Sequence, residues 1–117
     1  MIYIIEDDVS VSRSFELFFE SAGIGFRAFK SAESFLSVEK PVMNDLLLLD
    51  INLPLMSGMD LLNKLALEKR NIPTIVITAL DDEQTRETCK GYGVKAFLRK
   101  PVDSEALMDL IKYHTNV

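Results

Sequence analysis

The centre of the chain reads LLLLDINLPLMSG over residues 46–58. A run of four leucines stops at a carboxylate, Asp50, and Pro54 and Gly58 follow closely. A short apolar run between turn residues is typical of a strand that is covered on both faces, as in a parallel sheet. Leucine itself is not a favoured strand residue, so this interpretation depends on the pattern on either side.

Four further apolar runs repeat this pattern along the chain. They predict strands over residues 2–5, 25–29, 74–77 and 96–98. The run at 25–29 alternates between apolar and polar residues, which indicates a strand near an edge of the sheet.

Stretches with helical spacing separate the apolar runs. In the first stretch, one helical face carries Val11, Phe15, Phe18, Phe19 and Ala22. Asp8 is the expected N-cap of this helix, and Gly23 is its expected C-cap. The spacing therefore predicts an amphipathic helix that packs its aromatic face on the sheet.

Further helices are predicted from Ser31, from near Gly58, over residues 82–90 and over residues 104–114. Strand and helix thus alternate five times, which predicts a doubly wound α/β fold, (βα)5, around a five-stranded parallel sheet. The 117 residues suit one domain, so residues 1–117 are taken as a single unit. Ligands of such sheets bind at the carboxyl ends of the strands, where the winding direction switches.

Composition excludes several classes of function. The formal net charge of −5 disfavours direct binding to nucleic acid, whose phosphates repel an acidic surface. Cys89 is the single cysteine, so neither a disulfide framework nor a thiolate zinc site can form within the chain. The N-terminal apolar run is four residues long and resembles neither a signal peptide nor a membrane span. We therefore expect a cytoplasmic domain without membrane contact.

Polar residues stand where the predicted strands end. Glu6 and Asp7 follow the first strand, Asp50 ends the third, Thr78 ends the fourth, and Lys100 follows the fifth. The three carboxylates carry −3, and the lysine with one divalent cation would neutralise them. Oxygen ligands without histidine or thiolate suit Mg²⁺ or Mn²⁺, and Mg²⁺ commonly shares its shell with phosphate oxygens. The pattern predicts a site that handles a phosphoryl group.

These motifs resemble those of the receiver domain of response regulators in two-component systems. The resemblance rests on Glu6-Asp7, DINLPLMSG at 50–58, Thr78-Ala79 and FLRKP at 97–101, and it covers essentially the whole chain. It implies a flavodoxin-like sheet with the strand order 2-1-3-4-5. FRAFKSAESFL at 26–36 is similar to receivers of the nitrogen-fixation regulator type, which carry a C-terminal helix-turn-helix domain.

The resemblance assigns a role to each acid. Asp50 is implied as the phosphoacceptor, whose carboxylate attacks phosphorus to form an acyl phosphate. Asp7 is implied as a direct ligand of the metal, and Glu6 as a ligand that acts mainly through water. Asn52 would offer its backbone carbonyl to the same ion. The implied metal set is therefore Glu6, Asp7, Asp50 and Asn52, with Mg²⁺ or Mn²⁺ as the cofactor.

The resemblance also implies a switch. Lys100 would pair with one phosphoryl oxygen, Thr78 would donate a hydrogen bond to another, and Pro101 matches a position where the family often has a cis peptide. Phe97 matches the aromatic switch position, whose ring fills the space that Thr78 leaves. Leu80, two residues beyond Thr78, is expected to hinder the attacking water, so Leu80→Glu or Leu80→Gln should alter the acyl-phosphate lifetime.

The function implied is that of a phosphoacceptor and not of an enzyme. A histidine kinase is the expected donor, and phosphorylation would change the surface of the fourth helix, fifth strand and fifth helix. The output would be control of transcription through a DNA-binding effector domain or a partner protein, with homodimer formation on phosphorylation as a further outcome. The alternative is a stand-alone signalling or phosphorelay receiver that acts by protein–protein contact, since nothing after His114 resembles an effector domain.

Three rival functions fit the sequence less well. A flavodoxin-like module for small molecules would need a glycine-rich phosphate loop, and the chain has only five glycines with no such loop. An aspartyl phosphatase would need a general acid near its nucleophile, but the second residue after Asp50 is Asn52. A pseudo-receiver would lack the acids or the lysine, and this chain has them all.

Overall fold

Strands and helices alternate along the chain as the apolar runs predict. The computed structural model describes residues 1–38, 45–70, 72–79 and 83–115. Its strands are β1 (Ile2–Ile5), β2 (Phe26–Phe29), β3 (Leu46–Asp50), β4 (Thr74–Thr78) and β5 (Ala96–Arg99). Its helices are α1 (Val9–Ala22), α2 (Ala32–Val38), α3 (Gly58–Leu67), α4 (Glu83–Gly91) and α5 (Ser104–Thr115). None of the helices in the described part of the chain is long and apolar enough to cross a membrane.

The five strands form one parallel sheet in the order β2-β1-β3-β4-β5. This order confirms the flavodoxin-like arrangement that the resemblance implies. In the register of the sheet, Ile5 lies beside Leu49 and Asp50 lies beside Ile77. The carboxyl ends of β1, β3 and β4 therefore lie next to one another, and β2 occupies an edge as expected.

The leucine run of β3 is explained by two hydrophobic cores, one on each face of the sheet. Leu47 and Leu49 belong to one core, and Leu46 and Leu48 belong to the other, and all four side chains are fully buried. Burial of a leucine side chain stabilises a fold by about 1.5–3 kcal/mol. An unbroken apolar run is thus required here because β3 is central in the sheet and is covered on both faces.

Helix α1 forms largely as its spacing predicts. Asp8 is the N-cap, and its carboxylate accepts hydrogen bonds from the backbone N–H groups of Ser10 and Val11 at 2.9 and 3.2 Å. Gly23 ends the helix with a φ of 71°, in the left-handed region that favours glycine. The prediction was wrong for Ala22, which is exposed. Ala22 is the last helical residue, directly before the left-handed turn at Gly23, and the buried part of the face is formed by Phe15 and Phe19.

The start of α3 is packed tightly against the end of β3. A Cβ atom on Gly58 would lie 2.7 Å from the carbonyl oxygen of Asp50 and 2.7 Å from the Cα of Ile51. Gly58 also donates its backbone N–H to the carbonyl of Ile51 at 3.1 Å. The glycine is therefore required by a close approach of two backbones beside Asp50.

Gly58→Ala is accordingly expected to destabilise the fold by about 1–3 kcal/mol, because the backbone around Asp50 must move. Gly91→Ala is the matched control, since a Cβ there meets nothing within 4 Å. Urea denaturation of the two variants measures the difference. Equal unfolding midpoints for the two variants would show that the approach at Gly58 is not constraining.

Leu55 is strained and exposed in the loop that follows β3. Its φ is 60°, and 91% of its surface is accessible to solvent. A left-handed conformation costs an L-residue about 1–2 kcal/mol, and glycine adopts it freely. Leu55→Gly should therefore stabilise the fold by about 1 kcal/mol, whereas Leu55→Ala keeps the strain and should not stabilise. Thermal unfolding distinguishes the two variants. If Leu55→Ala were more stable than Leu55→Gly, the backbone at Leu55 would not be strained.

Candidate functional site

Four charged side chains meet at the carboxyl end of the sheet. One carboxylate oxygen from each of Glu6, Asp7 and Asp50 lies within 4.8 Å of the others. Glu6 and Asp50 are buried, with 1% and 4% of their surfaces exposed, whereas Asp7 is exposed. Lys100 donates to Glu6 Oε1 at 2.5 Å and to Asp50 Oδ2 at 3.2 Å. The parallel order of the strands brings these residues together although they are far apart in sequence.

Asp50 is held in place by two donors on different sides. Its Oδ2 accepts from Lys100, and its Oδ1 accepts the backbone N–H of Asn52 at 3.0 Å. Burial acts to raise the pKa of Asp50, but the neighbouring Glu6, the Asn52 backbone N–H and Lys100 outweigh it and hold the pKa below its ordinary value. Asp50 is therefore an ionised, oriented carboxylate at the end of a rigid central strand.

Glu6 holds a proton more strongly than an ordinary glutamic acid. Burial, as the largest effect, and the neighbouring Asp50 together raise its pKa from 4.5 to about 8, although Lys100 opposes both. Lys100 itself is desolvated, which lowers its pKa, but Glu6 and Asp50 more than compensate and its pKa is raised. Three carboxylates, the Lys100 ammonium and the proton on Glu6 together leave the cluster with a net charge of −1 when no further cation is bound.

This residue set fits a divalent ion with oxygen ligands. Ligand oxygens around Mg²⁺ are about 3–4 Å apart, so the three carboxylates need only a small contraction, or one bridging water, to share an ion. Glu6 Oε2 is buried and has no hydrogen-bond partner among the residues that the structure describes. An added cation would give this oxygen a partner and would displace the proton on Glu6.

Metal binding should therefore be coupled to pH. Because the folded-state pKa of Glu6 lies above the ordinary 4.5, the stability it contributes is complete below pH 4.5 and is lost as pH rises toward 8. In EDTA, the free energy of unfolding of the wild type should fall between pH 5 and pH 8.5 by on the order of a few kcal/mol more than that of Glu6→Gln. Thermal unfolding across this range measures the loss, and Mg²⁺ should reduce it. If the unfolding temperatures of wild type and Glu6→Gln changed equally with pH, the raised pKa of Glu6 would be contradicted.

Asn52 contributes more than the backbone carbonyl that was predicted for it. Its backbone N–H binds Asp50, and its side-chain Nδ2 donates to Thr78 Oγ1 at 3.4 Å. The Thr78 side chain is fully buried at the end of β4. Asn52 thus links the buried carboxylate to the buried hydroxyl, a connection that the spacing along the chain does not reveal.

The other predicted residues lie nearby on β5 and its following loop. The Lys100–Pro101 peptide bond is cis, as the match at Pro101 implies. Phe97 is half-buried and lies beside Val76 on β4, two residues before Thr78. The predicted role of Leu80 lies outside the described residues.

Fold and site together define a doubly wound α/β domain with a buried acid cluster and one lysine at its strand ends. Residues 2–112 match the family described as the response regulator receiver domain. The chain therefore belongs to the receiver family of two-component response regulators.

Relatives and solved structures agree with this assignment. Nodulation protein W of Bradyrhizobium diazoefficiens is 37% identical over 112 residues, which are 95% of this chain and 49% of that protein. Transcriptional regulatory protein FixJ of Rhizobium meliloti is 32% identical over 95% of this chain and 54% of that protein. The solved structure of FixJ-N superposes with a TM-score of 0.87 at 30% identity, covering 98% of this chain and 92% of that one.

These matches confirm the resemblance to receivers of the nitrogen-fixation regulator type. The response regulator StyR has a similar structure, with a TM-score of 0.90 and 31% identity over 98% of this chain and 58% of that one. The chain spans about half the length of the curated relatives it matches.

Proposed function

We propose that this chain receives a phosphoryl group on Asp50 in a Mg²⁺-dependent reaction and transmits the event as a change of surface. The observation that carries the proposal is the contact set of Asp50. It is buried, ionised and hydrogen-bonded to Lys100 and Asn52, and it shares a cluster with two further acids. A nucleophile for phosphoryl transfer needs little beyond this orientation and the neutralisation of charge.

In this proposal the Asp50 carboxylate forms a P–O bond while the P–N bond of a phosphohistidine donor breaks. The electron pair of that bond stays on the donor imidazole, which takes up a proton. Glu6, Asp7, Asp50 and the Asn52 carbonyl would hold Mg²⁺, which supplies charge neutralisation of the transferred phosphoryl when bound. Lys100 is within reach to exchange its Asp50 contact for a phosphoryl oxygen. The chain is then a phosphoacceptor that is altered once per event, rather than an enzyme.

The acyl phosphate would draw the Thr78 hydroxyl away from Asn52 and toward a phosphoryl oxygen. Movement of Thr78 would leave room for the half-buried ring of Phe97 on the neighbouring strand. The surface formed by α4, β5 and α5 would change as a result, which is a two-state element biased by a new local charge. We infer that this surface binds a DNA-binding effector domain or a partner protein, because the similar protein FixJ is named a transcriptional regulatory protein. A cytoplasmic histidine kinase domain is the proposed donor.

Incubation with acetyl phosphate, with and without Mg²⁺, tests the proposal. Intact-mass spectrometry should show the gain of one phosphoryl group with Mg²⁺ and very little after chelation with EDTA. Hydroxylamine should remove the group, because it cleaves acyl phosphates. No gain of mass, or a gain that is unaffected by chelation, would contradict the proposal.

A further inference from the structure

Phe97 lies beneath a cation from the neighbouring helix. The guanidinium carbon of Arg86, on α4, lies 5.3 Å from the centroid of the Phe97 ring. The two side chains line a groove between α4 and β5 together with Cys89 and Val94. Phe97 is half-buried and packs against the core on the α4 side of the sheet. The ring is therefore held between the core and an arginine that covers its outer side.

The contact with Arg86 is made by the ring in the position that this structure shows. The proposed switch moves the ring toward the space beside Thr78, on the adjacent strand β4. Arg86 extends from α4, so a ring that moves toward Thr78 would move away from the guanidinium. In the proposed switch the cation–π contact would therefore be lost when the ring moves.

We propose that Arg86 is a positioning residue that holds the Phe97 ring in its present position and so sets the threshold for switching. The proposal rests on the proposed function, because it needs the two positions of the ring. A ligand shifts such an equilibrium only against the contacts of the state it leaves. A cation–π contact at a part-exposed site corresponds to about a two- to fivefold change in an equilibrium constant. Removal of Arg86 should favour the switched state by that factor.

Neighbouring cations offer a matched control. Lys90 lies one turn further along α4 and also lines the groove, but its ammonium pairs with Glu87 at 3.4 Å. Lys90→Ala removes a positive charge from the same groove without removing the contact over the ring. Arg86 also has a further interaction besides the ring, so a single substitution cannot isolate the contact. A double-mutant cycle with Phe97→Ala isolates it.

Titration with beryllofluoride, an analogue of the phosphoryl group, tests the proposal in the presence of Mg²⁺. Backbone amide resonances near Phe97 report the conversion. For Arg86→Ala the half-saturating concentration should fall about two- to fivefold below wild type. The half-saturating concentration for Arg86→Lys should lie between those for wild type and Arg86→Ala, because an ammonium keeps the charge but loses the planar stack. Lys90→Ala should match wild type, and the effect of Arg86→Ala should be much smaller in the Phe97→Ala background.

Two results would overturn the proposed role of Arg86 without affecting the proposed function. One is a half-saturating concentration for Arg86→Ala that equals or exceeds that of wild type. The other is an effect of Arg86→Ala that persists in full when Phe97 is alanine. A wild-type protein that does not bind beryllofluoride would instead contradict the proposed function, so the two failures are distinguishable.

Discussion

Asp50→Asn is expected to abolish phosphoryl uptake. Asparagine keeps the size of the side chain and an oxygen that can accept the Asn52 N–H, but a neutral amide cannot form the acyl phosphate. Lys100 would keep its partner Glu6, so the fold should survive the substitution. Removal of one of three crowded carboxylates also relieves like-charge repulsion in the absence of a metal. Intact-mass spectrometry after treatment with acetyl phosphate and Mg²⁺ measures the loss.

Asp8→Asn is the matched control for this experiment. Asp8 lies in the same acidic loop as Asp7, but its carboxylate caps α1, and asparagine is an equally good N-cap. The Asp8 variant should take up one phosphoryl group as wild type does. Undiminished labelling of Asp50→Asn would move the acceptor to another residue, and loss of labelling in both variants would show that the loss is not specific to Asp50.

Lys100→Met is expected to cause the largest loss of stability. Its side chain is 21% exposed, whereas those of its partners Glu6 and Asp50 are 0% and 5% exposed. Methionine removes the only ammonium bound to these buried acids among the described residues. Loss of one partner of a buried ion pair destabilises a fold by about 3–5 kcal/mol, and the loss should lie near the lower end of this range because Glu6 already holds a proton, which leaves Asp50 as the buried charge without its ammonium.

Urea denaturation at neutral pH in EDTA measures that loss, with Lys112→Met as the control at an exposed lysine of α5. Because a proton on Asp50 or a divalent cation can compensate for the missing ammonium, the deficit should shrink at low pH and on addition of Mg²⁺. Phosphoryl uptake should remain strongly reduced in Mg²⁺, since no ammonium is then left for the phosphoryl oxygen. Equal stability of the two methionine variants would show that Lys100 contributes little to holding the acids.

The convergence of the acids could be predicted because it follows from the sheet. Apolar runs end at Glu6, Asp50 and Thr78, and parallel strands place their carboxyl ends at one edge. The strand order itself did not follow from periodicity, and it entered through the resemblance. The burial of all four leucines of β3 follows from the central position of that strand, which the run of residues indicates but cannot prove.

The contacts between side chains could not be predicted in the same way. Asn52 reaches Thr78 across 26 residues of sequence, and Arg86 covers Phe97 from another element. Both contacts depend on rotamers and on the path of a loop, which leave no periodic signal. The close approach at Gly58 is of the same kind, because only the packing of α3 on β3 distinguishes this glycine from Gly91.

A crystal structure with Mg²⁺ and beryllofluoride would test the central claim most directly. We expect beryllium bonded to an Asp50 oxygen, with Lys100 and Thr78 on its fluorine atoms. We also expect an ion held by Asp7, Asp50 and the Asn52 carbonyl. A beryllofluoride group bound elsewhere, or a magnesium ion that leaves Asp7 and Asp50 apart, would contradict it.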